Sequence, residues 1–495
     1  MRPVCCIGAR TLLQALVVCL FGIGSVNSVA GEFPAVPAVQ AGRVNVQVWL
    51  STADRKMRLS HQSDIRSVAH VSLPINIAID ATTKYQSMVG FGAAVTDASA
   101  SLIQNKLNAQ QRSALLHDLF GLSPGIDLGL IRLTIGASDF STRHYSLDDV
   151  PKGTVDPSLS HFSIAPNLRD VIPVVREAMS INPKLRAIAS PWSPPAWMKT
   201  SGSLVGGTLR PEFEEAFARY LVKYVDAYRK LGIPIFALTL QNEPGFSPGN
   251  YPGMKMDALT RAHVIANYLG PALSSRQQKT LILDWDHNWD APTQPMSVLS
   301  DPAAARYVAG VAWHCYEGSV NAQSLVHNAF PEKQTYLTEC SGGDWEPVKS
   351  GGLIWLARNV LLAGSRHWAR GVLFWNLALD EHHGPHLGGC GTCEGVVTIN
   401  TRTGKVTRND EYYALAHLSR FVRPGAFRVK SSPAHGGIDN VAFQNMDDGS
   451  IVLFVVNSDV DAHFISMNQS KTSFQYKLPP RSVATFIWHY RQEDR

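Results

Sequence analysis

The 495-residue chain carries little charge of either sign. Asp, Glu, Lys and Arg make up 17% of it, and 45 basic residues against 40 acidic ones leave a formal net charge of only +5. Nucleic-acid-binding domains concentrate Lys and Arg on one face, so this composition predicts no nucleic-acid partner. Hydrophobic residues make up 45% of the chain, which excludes a disordered protein and predicts a large folded core.

Long apolar runs are missing beyond the N-terminus. The run 12–24 follows Arg2 and Arg10 and is too short for the roughly 20 residues of a membrane span. Small residues at 28–30 then supply a cleavage site, so we interpret residues 1–30 as a signal peptide cut after Ala30. An uncleaved N-terminal anchor is the alternative. The sequence thus predicts a secreted or periplasmic protein with no stable membrane span.

Cysteine is also scarce, at seven residues, and three of them lie in the predicted signal peptide. In an exported protein, Cys390 and Cys393 are expected to form a small disulfide clip. The nearby His382, His383 and His386 make zinc the alternative, but this glycine-rich segment holds no second Cys-x-x-Cys pair. We therefore predict no metal. No phosphate-binding or dinucleotide-binding motif stands where its mechanism needs it, so no cofactor is expected either.

Both ends of the chain alternate apolar and other residues with a period of two, which predicts half-buried β-strands. The strongest stretches are residues 44–50, 75–79, 451–456, 474–478 and 483–488. We expect the two ends to close into one accessory all-β sandwich domain. Its N-terminal part is assigned to residues 31–86 and its C-terminal part to residues 424–495.

Between these ends, short apolar runs alternate with helical stretches, which predicts repeated βα units and a parallel sheet. Eight such runs occur, at 88–95, 128–135, 185–190, 235–240, 280–283, 308–313, 335–338 and 371–375. Eight parallel strands close a (β/α)8 barrel, so the predicted fold is α/β, with a TIM barrel over residues 87–423.

Carboxylates, amides and aromatics follow these runs, at the strand ends where barrel enzymes hold their active sites. The residues at these ends are Asp97, Arg132, Trp192, Asn242, Glu243, Asp284, Trp285, Asp286, His314, Tyr316, Glu339, Trp375 and Asn376. Any one of them alone is compatible with a salt bridge or a capped strand end. Their coincidence at one edge predicts a binding site.

Glu243 ends the fourth run and Glu339 ends the seventh, so the two carboxylates are expected to face each other across the barrel mouth. Cleavage of a glycosidic bond requires such a pair. One carboxyl group protonates the leaving oxygen, and the other attacks the anomeric carbon or activates water. The aromatic faces and amides around them suit a sugar ring and its hydroxyls. The pattern therefore predicts a carbohydrate site.

Five segments resemble glycoside hydrolase family 30, which includes the glucosylceramidases. They are VGFGAAVTD at 89–97, SPWSPPAWMKT at 190–200, QNEP at 241–244, WHCY at 313–316 and TEC at 338–340. The likeness runs in order over about residues 89–423. It implies a catalytic barrel with a flanking β domain and a retaining β-glycoside hydrolase.

The resemblance also implies residue roles. Glu243 would be the acid/base and Glu339 the nucleophile, oriented by Arg132. The residues that it implies for substrate binding are Asp97, Trp192, Asn242, His314, Tyr316, Trp375 and Asn376. An acid/base must be protonated for the first step, so we expect the pKa of Glu243 to lie above its ordinary value while Glu339 stays charged.

Side-chain alternation along a strand points His314 and Tyr316 into the site and Cys315 away from it. Cys340, next to Glu339, should also point away. We expect Cys315 and Cys340 to lie on neighbouring strands behind the site as buried thiols, with a disulfide as the alternative.

The substrate stays open at this point between a carbohydrate and a glycolipid. The first expectation is a glucosylceramidase-like enzyme that cleaves β-glucosidic bonds. An exported endo-β-1,6-glucanase, or a β-xylosidase or xylanase, is the alternative, and the segments 377–380 and 390–393 favour a glucan hydrolase. A non-catalytic carbohydrate-binding barrel is the alternative from another class. A serine hydrolase motif at 245–249 is discounted, because Pro248 lacks the N–H that the oxyanion hole needs.

Overall fold

The computed structural model describes residues 44–68, 70–276, 279–345, 352–433 and 435–489. The predicted signal peptide at 1–30 lies outside these described residues. Within them, no helix is both long enough and apolar enough to cross a membrane.

The described chain opens with three strands, β1 (Asn45–Thr52), β2 (Ser60–Arg66) and β3 (Ile75–Ser87). The barrel strands follow: β4 (Gly90–Val95), β5 (Leu130–Ile135), β6 (Arg186–Pro191), β7 (Ile235–Thr239), β8 (Leu281–Asn288), β9 (Val308–His314), β10 (Gln334–Glu339) and β11 (Ala369–Asp380). Each of these eight strands pairs in parallel with the next, and β11 pairs with both β4 and β10. In the described residues, the sheet is therefore a closed eight-stranded barrel, as the sequence predicts.

Helices fill the connections between these strands. They are α1 (Asp97–Asn105), α2 (Ala109–Phe120), α3 (Ala165–Leu168), α4 (Val171–Ile181), α5 (Glu214–Lys230), α6 (Ala258–Val264), α7 (Gly270–Ser274), α8 (Thr293–Leu299), α9 (Pro302–Ala305), α10 (Asn321–Ala329), α11 (Gly352–Trp355), α12 (Ala363–Arg366) and α13 (Asp410–Ser419). A π-helical turn at Ile265–Leu269 joins α6 to α7, and another at Leu356–Leu362 joins α11 to α12. Short 3-10 turns occur at Ala196–Met198 and Pro211–Phe213.

The remaining strands extend two sheets. β12 (Gly395–Ile399) and β13 (Val406–Arg408) form a hairpin on the outer edge of β11. The last strands are β14 (Phe427–Ser431), β15 (Ile438–Gln444), β16 (Ser450–Asn457), β17 (His463–Gln469), β18 (Thr472–Leu478) and β19 (Ser482–His489). They join β1–β3 in a second sheet with the order β18-β17-β3-β14-β15-β16-β19-β1-β2. Both ends of the described chain therefore contribute to one β domain.

The central strand β16 is apolar on both faces because it lies between two cores. Ile451, Leu453 and Val455 pack in the core of the β domain. The alternating residues Val452 and Phe454 pack in the core that includes the barrel helices. A strand covered on both sides needs no polar face, which explains why this run is continuously apolar.

Inside the barrel, one apolar layer supports the polar residues above it. It consists of Val89, Leu130, Ile188, Ala237, Leu283, Ala312, Tyr336 and Leu373. On a regular strand, the next inward side chain lies two residues further along. After Leu130 that residue is Arg132, and after Ala312 it is His314. The polar residues of the site therefore lie directly above an apolar layer of the barrel interior.

Cys315 and Cys340 form a disulfide, with their Cα atoms 5.3 Å apart. The expectation of buried thiols is therefore wrong, and the alternative holds. The reason is the register of β9 and β10, which pairs His314 with Glu339. The next residue of each strand then points to the same side at a Cα separation that a disulfide spans.

Breaking this disulfide should destabilise the barrel more than breaking the other one. Cys315 and Cys340 are separated by 25 residues, and chain-entropy arguments give such a loop about 3 kcal/mol of stabilisation. Cys390 and Cys393 also form a disulfide, but their separation is only 3. We expect the thermal midpoint of the C315S/C340S variant to fall further than that of C390S/C393S. The reverse order would contradict this account.

Candidate active site

A cavity of about 460 Å³ opens at the carboxyl ends of the barrel strands. We call it the catalytic cavity. Its lining residues are Asp139, Glu243, Phe246, Pro248, Gly249, Asn250, Tyr251, Tyr316, Glu339, Trp345, Trp375, Gly389, Cys390 and Cys393. Both predicted catalytic glutamates, with Tyr316 and Trp375, therefore face one cavity.

Beneath the cavity, the carboxylate of Asp286 joins the residues around both glutamates. It is fully buried and accepts hydrogen bonds from five side chains. The donors and distances are Arg132 Nη2 (2.8 Å), Ser190 Oγ (2.6 Å), Thr239 Oγ1 (2.7 Å), His314 Nε2 (3.2 Å) and Thr338 Oγ1 (2.6 Å). These donors lie on five other barrel strands, β5, β6, β7, β9 and β10. Asp286 therefore links the ends of these strands at one side of the barrel mouth.

Asp286 reaches this position through an irregularity in β8. Trp285 and Asp286 have φ angles of 75° and 54°, in the left-handed region that bulky side chains rarely adopt. The pairing of β8 with β9 shifts register at the same point. Regular alternation would put Asp284 and Asp286 on one face. Instead Asp284 bonds the buried Arg261 at 2.8 Å, while Asp286 turns inward.

Arg132 connects Asp286 to Glu339. Its Nη1 contacts Glu339 Oε2, and its Nη2 donates to Asn242 Oδ1 at 2.7 Å as well as to Asp286. The hydroxyl of Tyr316 donates to the other oxygen of Glu339 at 2.9 Å. Both carboxylate oxygens of Glu339 are thus held by donors, which fixes the plane of the carboxylate.

Glu243 is held from the other side by His314. His314 Nδ1 lies 3.1 Å from Glu243 Oε1, and its Nε2 lies 3.2 Å from Asp286 Oδ1. The backbone N–H of Glu243 donates to the carbonyl of Asp286 at 3.0 Å. One oxygen of Glu243, one oxygen of Glu339 and one ring nitrogen of His314 lie within 4.8 Å of one another. The two carboxyl groups are therefore close enough to act on one atom.

The charges of this cluster set its protonation. Burial lowers the pKa of His314, but Glu339, Asp286 and Glu243 outweigh burial and raise it to about 9. Burial raises the pKa of Asp286, yet Arg132 and His314 hold it well below its ordinary value. At neutral pH, His314 is therefore an imidazolium and Asp286 a carboxylate.

The pKa shifts of the two glutamates run opposite to the expected directions. Burial raises the pKa of Glu243, but the hydrogen bond and charge of His314 bring it below its ordinary value. Burial raises the pKa of Glu339 above its ordinary value, although His314 and Arg132 oppose this. The expectation of a raised pKa at Glu243 is thus wrong.

Aromatic rings and an amide lie beside this cluster. Trp192 and Trp375 stack with their ring centres 5.0 Å apart, and the Arg132 guanidinium lies 4.8 Å from the Trp192 ring centre. Trp375 lines the catalytic cavity, and Trp192 lies behind it. Asn376 Oδ1 accepts from Thr96 Oγ1 at 3.0 Å, while its buried Nδ2 has no partner in the described chain.

Asp139 lines the catalytic cavity, whereas the predicted sugar-binding residue Asp97 does not. Asp97 accepts hydrogen bonds from Ser141 Oγ at 2.7 Å and from Tyr145, and it lies outside the lining of the cavity. Asp139 lines the cavity, and burial, with the charges of Glu339 and Glu243, raises its pKa to about 8. The sugar-binding role of Asp97 stays a prediction. Sequence reasoning missed Asp139, because it lies in a loop beyond the end of β5.

The loop that carries the Cys390–Cys393 disulfide forms one wall of the cavity. The backbone N–H of Leu387 donates to the Asp139 carbonyl at 2.7 Å. A Cβ atom on Gly389 would lie 2.4 Å from Asp139 Oδ2, so only glycine allows this close approach. The disulfide loop therefore packs directly on Asp139.

The donor atoms of Glu243, His314 and Glu339 also have the spacing of a metal site in the described residues. These atoms already have protein partners, because Arg132 contacts Glu339 and the two ring nitrogens of His314 lie beside Glu243 and Asp286.

Comparisons with known proteins identify this architecture. The family model described as "Glycosyl hydrolase family 30 TIM-barrel domain" matches residues 88–422, and the "Glycosyl hydrolase family 30 beta sandwich domain" matches residues 425–486. This chain belongs to glycosyl hydrolase family 30. It is an O-glycosyl hydrolase, and the alternative of a non-catalytic binding barrel is set aside.

Family 30 relatives include two kinds of enzyme. An endo-1,6-β-D-glucanase of Aspergillus fumigatus is 38% identical over 428 residues, which cover 81% of this chain and 85% of the relative. The mouse lysosomal acid glucosylceramidase is 30% identical over 431 residues, covering 82% of each. Among solved structures, the endo-β1,6-glucanase BT3312 is similar with a TM-score of 0.82 and 31% identity, over 90% of this chain and 100% of that one.

Removing the charge of Asp286 should change the cluster without changing its shape. In Asp286→Asn, we expect the pKa of His314 to fall from about 9, because the carboxylate that favours the imidazolium is gone while burial remains. We expect kcat/KM to fall roughly 100-fold, as for other buried groups that position charge. An NMR titration of the His314 ring and kinetics on an aryl β-glucoside measure both effects.

Asp284→Asn is the matched control, two residues away on the same strand. It breaks the buried ion pair with Arg261, so it should lower thermal stability. It should leave the pKa of His314 at about 9. If Asp286→Asn also leaves that pKa at about 9, the proposed coupling is wrong.

Proposed function

We propose that this family 30 enzyme is an exported endo-β-1,6-glucanase that hydrolyses its substrate by double displacement with retention. The observation that carries the substrate assignment is similarity. Identity to the Aspergillus endo-1,6-β-D-glucanase exceeds identity to the mouse glucosylceramidase, and the solved endo-β1,6-glucanase covers nearly the whole chain. Glucosylceramide and xylan remain the alternatives that the experiment below separates.

Geometry supports the retaining mechanism. Retaining enzymes hold their two carboxyl groups about 5 Å apart, whereas inverting enzymes leave roughly 6.5 to 9.5 Å for a water molecule. Carboxylate oxygens of Glu243 and Glu339 lie within 4.8 Å of each other. This close approach of one oxygen from each group fits the shorter spacing of retaining enzymes.

In the first step, Glu339 attacks the anomeric carbon and Glu243 protonates the leaving oxygen. Arg132 and Tyr316 hold the two oxygens of Glu339, so its attacking lone pair is fixed before the sugar binds. In the second step, Glu243 takes a proton from water, which attacks the same carbon and releases Glu339.

The first step needs a protonated Glu243 and an ionised Glu339. The anomeric carbon develops positive charge beside Glu339 in the transition state, which favours the ionised form of that carboxyl group. The glycosidic oxygen beside Glu243 favours a protonated acid there. Because the two groups are close enough to titrate as a pair, protonation of one favours ionisation of the other.

The sugar in the cavity would contact Trp375 and Asp139, with Asn242, His314, Trp192 and Asn376 supporting the site from behind. We propose that Asp139 binds sugar hydroxyls, because its carboxyl group lines the cavity beside both glutamates. Asp97 would then support the loop that carries Asp139, through its bonds to Ser141 and Tyr145.

Export and the domain boundaries are also proposals. The predicted signal peptide at 1–30 supports export, and both disulfides of the described residues suit an oxidising compartment. The β domain is assigned to residues 31–86 and 424–495, and the catalytic barrel to residues 87–423.

Substrate choice is tested with a panel of β-1,6-glucan, glucosylceramide in detergent and xylan. We expect β-1,6-glucan to be cleaved with kcat/KM at least roughly tenfold above the others, and its first products to be oligosaccharides of mixed length. Release of glucose alone would indicate exo action. Faster cleavage of glucosylceramide or xylan would overturn the substrate assignment.

Replacing Glu243 should leave a partly active enzyme, since good leaving groups need no acid. With a dinitrophenyl β-glucoside, Glu243→Ala should still form the glycosyl-enzyme, and deglycosylation should become slow. Added azide needs no general base, so it should restore turnover and give a β-glycosyl azide. Glu339→Gln is the control, with hydrolysis lost by orders of magnitude and no such rescue. An α-glycosyl azide, or rescue at Glu339 alone, would mean that the roles are reversed.

A further inference from the structure

One charged side chain of the family motif at 190–200 has no role in the mechanism above. Lys199 is only 2% exposed, and among the described residues it forms no ion pair with a carboxylate. Burying a charge without a counter-ion costs free energy, and hydrogen bonds must satisfy the charged group instead. The bonds of Lys199 therefore indicate what this position does for the structure.

The side chain of Lys199 has three hydrogen-bond acceptors. Its Nζ atom donates to Ser193 Oγ at 2.9 Å and to the carbonyl oxygens of Leu204 and Gly253 at 2.6 Å and 2.8 Å. An ammonium group has three N–H donors, so each donor has its own acceptor. Burial lowers the pKa of Lys199 to about 7, so the group carries all three protons in mildly acidic solution.

These acceptors lie on three segments of the chain. Ser193 follows β6, and Leu204 lies in the turn after Lys199. Gly253 lies in the loop 244–256, beyond the end of β7. The N–H of Gly253 also donates to the carbonyl of Leu204 at 3.1 Å, which links two of the segments directly. Lys199 thus lies at the junction of all three.

The loop 244–256 is a wall of the catalytic cavity. Five of its residues line the cavity, namely Phe246, Pro248, Gly249, Asn250 and Tyr251. Gly253 packs directly on this wall, since a Cβ atom on Gly253 would lie 2.3 Å from Pro248 Cδ. The carbonyl that Lys199 bonds therefore belongs to a residue in contact with the cavity wall.

Two other contacts hold the same loop. At its base, the N–H of Met256 donates to the carbonyl of Pro244 at 2.9 Å. Near its tip, Gly388 of the disulfide loop approaches so closely that a Cβ atom would lie 2.8 Å from Asn250 Cγ. The loop is thus held at its base by a backbone bond, at Asn250 by packing and at Gly253 by Lys199.

We propose that Lys199 is a positioning residue of this hydrolase, which holds the loop 244–256 as a wall of the catalytic cavity and thereby sets the affinity for substrate. The two glutamates of the site are held by Arg132, His314 and Tyr316, none of which bonds Lys199. Loss of the Lys199 bonds should therefore weaken substrate binding, while the groups of the chemical step stay in place.

The test compares Lys199→Met with the wild-type enzyme below pH 7, where Lys199 keeps its charge. The substrate is whichever member of the panel above is cleaved fastest, so the result does not depend on the substrate assignment. We expect KM to rise roughly tenfold, as for the loss of one or two buried hydrogen bonds. We expect kcat to change by less than about twofold, because the lost contact serves binding and not the chemical step.

Two further variants separate the loop from the charge. Gly253→Ala leaves the ammonium intact, but its Cβ atom would displace Pro248, so it should also raise KM. Ser193→Ala removes the acceptor that lies outside the loop and leaves both carbonyl bonds in place. It should raise KM less than Lys199→Met does.

Lys333→Met is the matched control. Lys333 also donates to two backbone carbonyls, those of Ala305 and Val308, at 2.8 Å and 3.0 Å. It lies directly before β10, at the amino end of the barrel strands and away from the cavity. We expect Lys333→Met to lower the thermal midpoint and to leave KM unchanged.

A wild-type KM in Lys199→Met would overturn the inference. A fall in kcat at unchanged KM, or an equal rise of KM in Lys333→Met, would also contradict it. If Lys199→Met does not fold, Gly253→Ala decides, and an unchanged KM in that variant overturns the inference. The proposed glucanase function fails separately, because the panel tests it on the wild-type enzyme alone.

Discussion

The active site depends on one buried carboxylate shared by two cations. Asp286 bonds Arg132, which contacts Glu339, and His314, which bonds Glu243. A buried carboxylate is stable only when it is paired and hydrogen-bonded, and here each oxygen has at least two donors. Glu339 and Glu243 are therefore positioned by the same group, and a change at Asp286 affects both.

The barrel makes this arrangement possible because its apolar residues and its polar site residues occupy different layers of the interior. An apolar layer fills the interior below, with one residue contributed at each strand position. Polar side chains of the next layer therefore meet in a small, dry space where their charges act strongly on one another. The β domain is joined to the barrel through α13. The buried His417 of this helix forms hydrogen bonds with Ser51 of β1 and Thr485 of β19.

Sequence periodicity was sufficient for the barrel strands, because each apolar run coincides with one of them. Regular strand geometry also placed Arg132, Glu243, His314 and Glu339 at the barrel mouth, whereas their roles were predicted from the family resemblance. Asp286 was named at a strand end but given no role. Its inward position depends on the positive φ angles at Trp285 and Asp286, which break the regular geometry.

Other features depend on tertiary contacts that no local pattern carries. Asp139 reaches the cavity from a loop, and only the packing of Gly389 shows where it points. The disulfide of Cys315 and Cys340 follows from the register of two strands. The pKa order of the glutamates follows from His314, whose own charge depends on Asp286. Each of these requires knowledge of which strands are neighbours.

The most direct test of this account is to trap the covalent intermediate. The reagent is a 2-deoxy-2-fluoro-β-glucoside with a good leaving group. Its fluorine slows both displacements, and its leaving group speeds only the first, so the labelled enzyme accumulates. Peptide mass spectrometry then locates the sugar. The account predicts one label, on the peptide that contains Glu339 and at that side chain. A label on Glu243, or steady hydrolysis with no labelled enzyme, would contradict the assignment of Glu339 as the nucleophile of a retaining family 30 hydrolase.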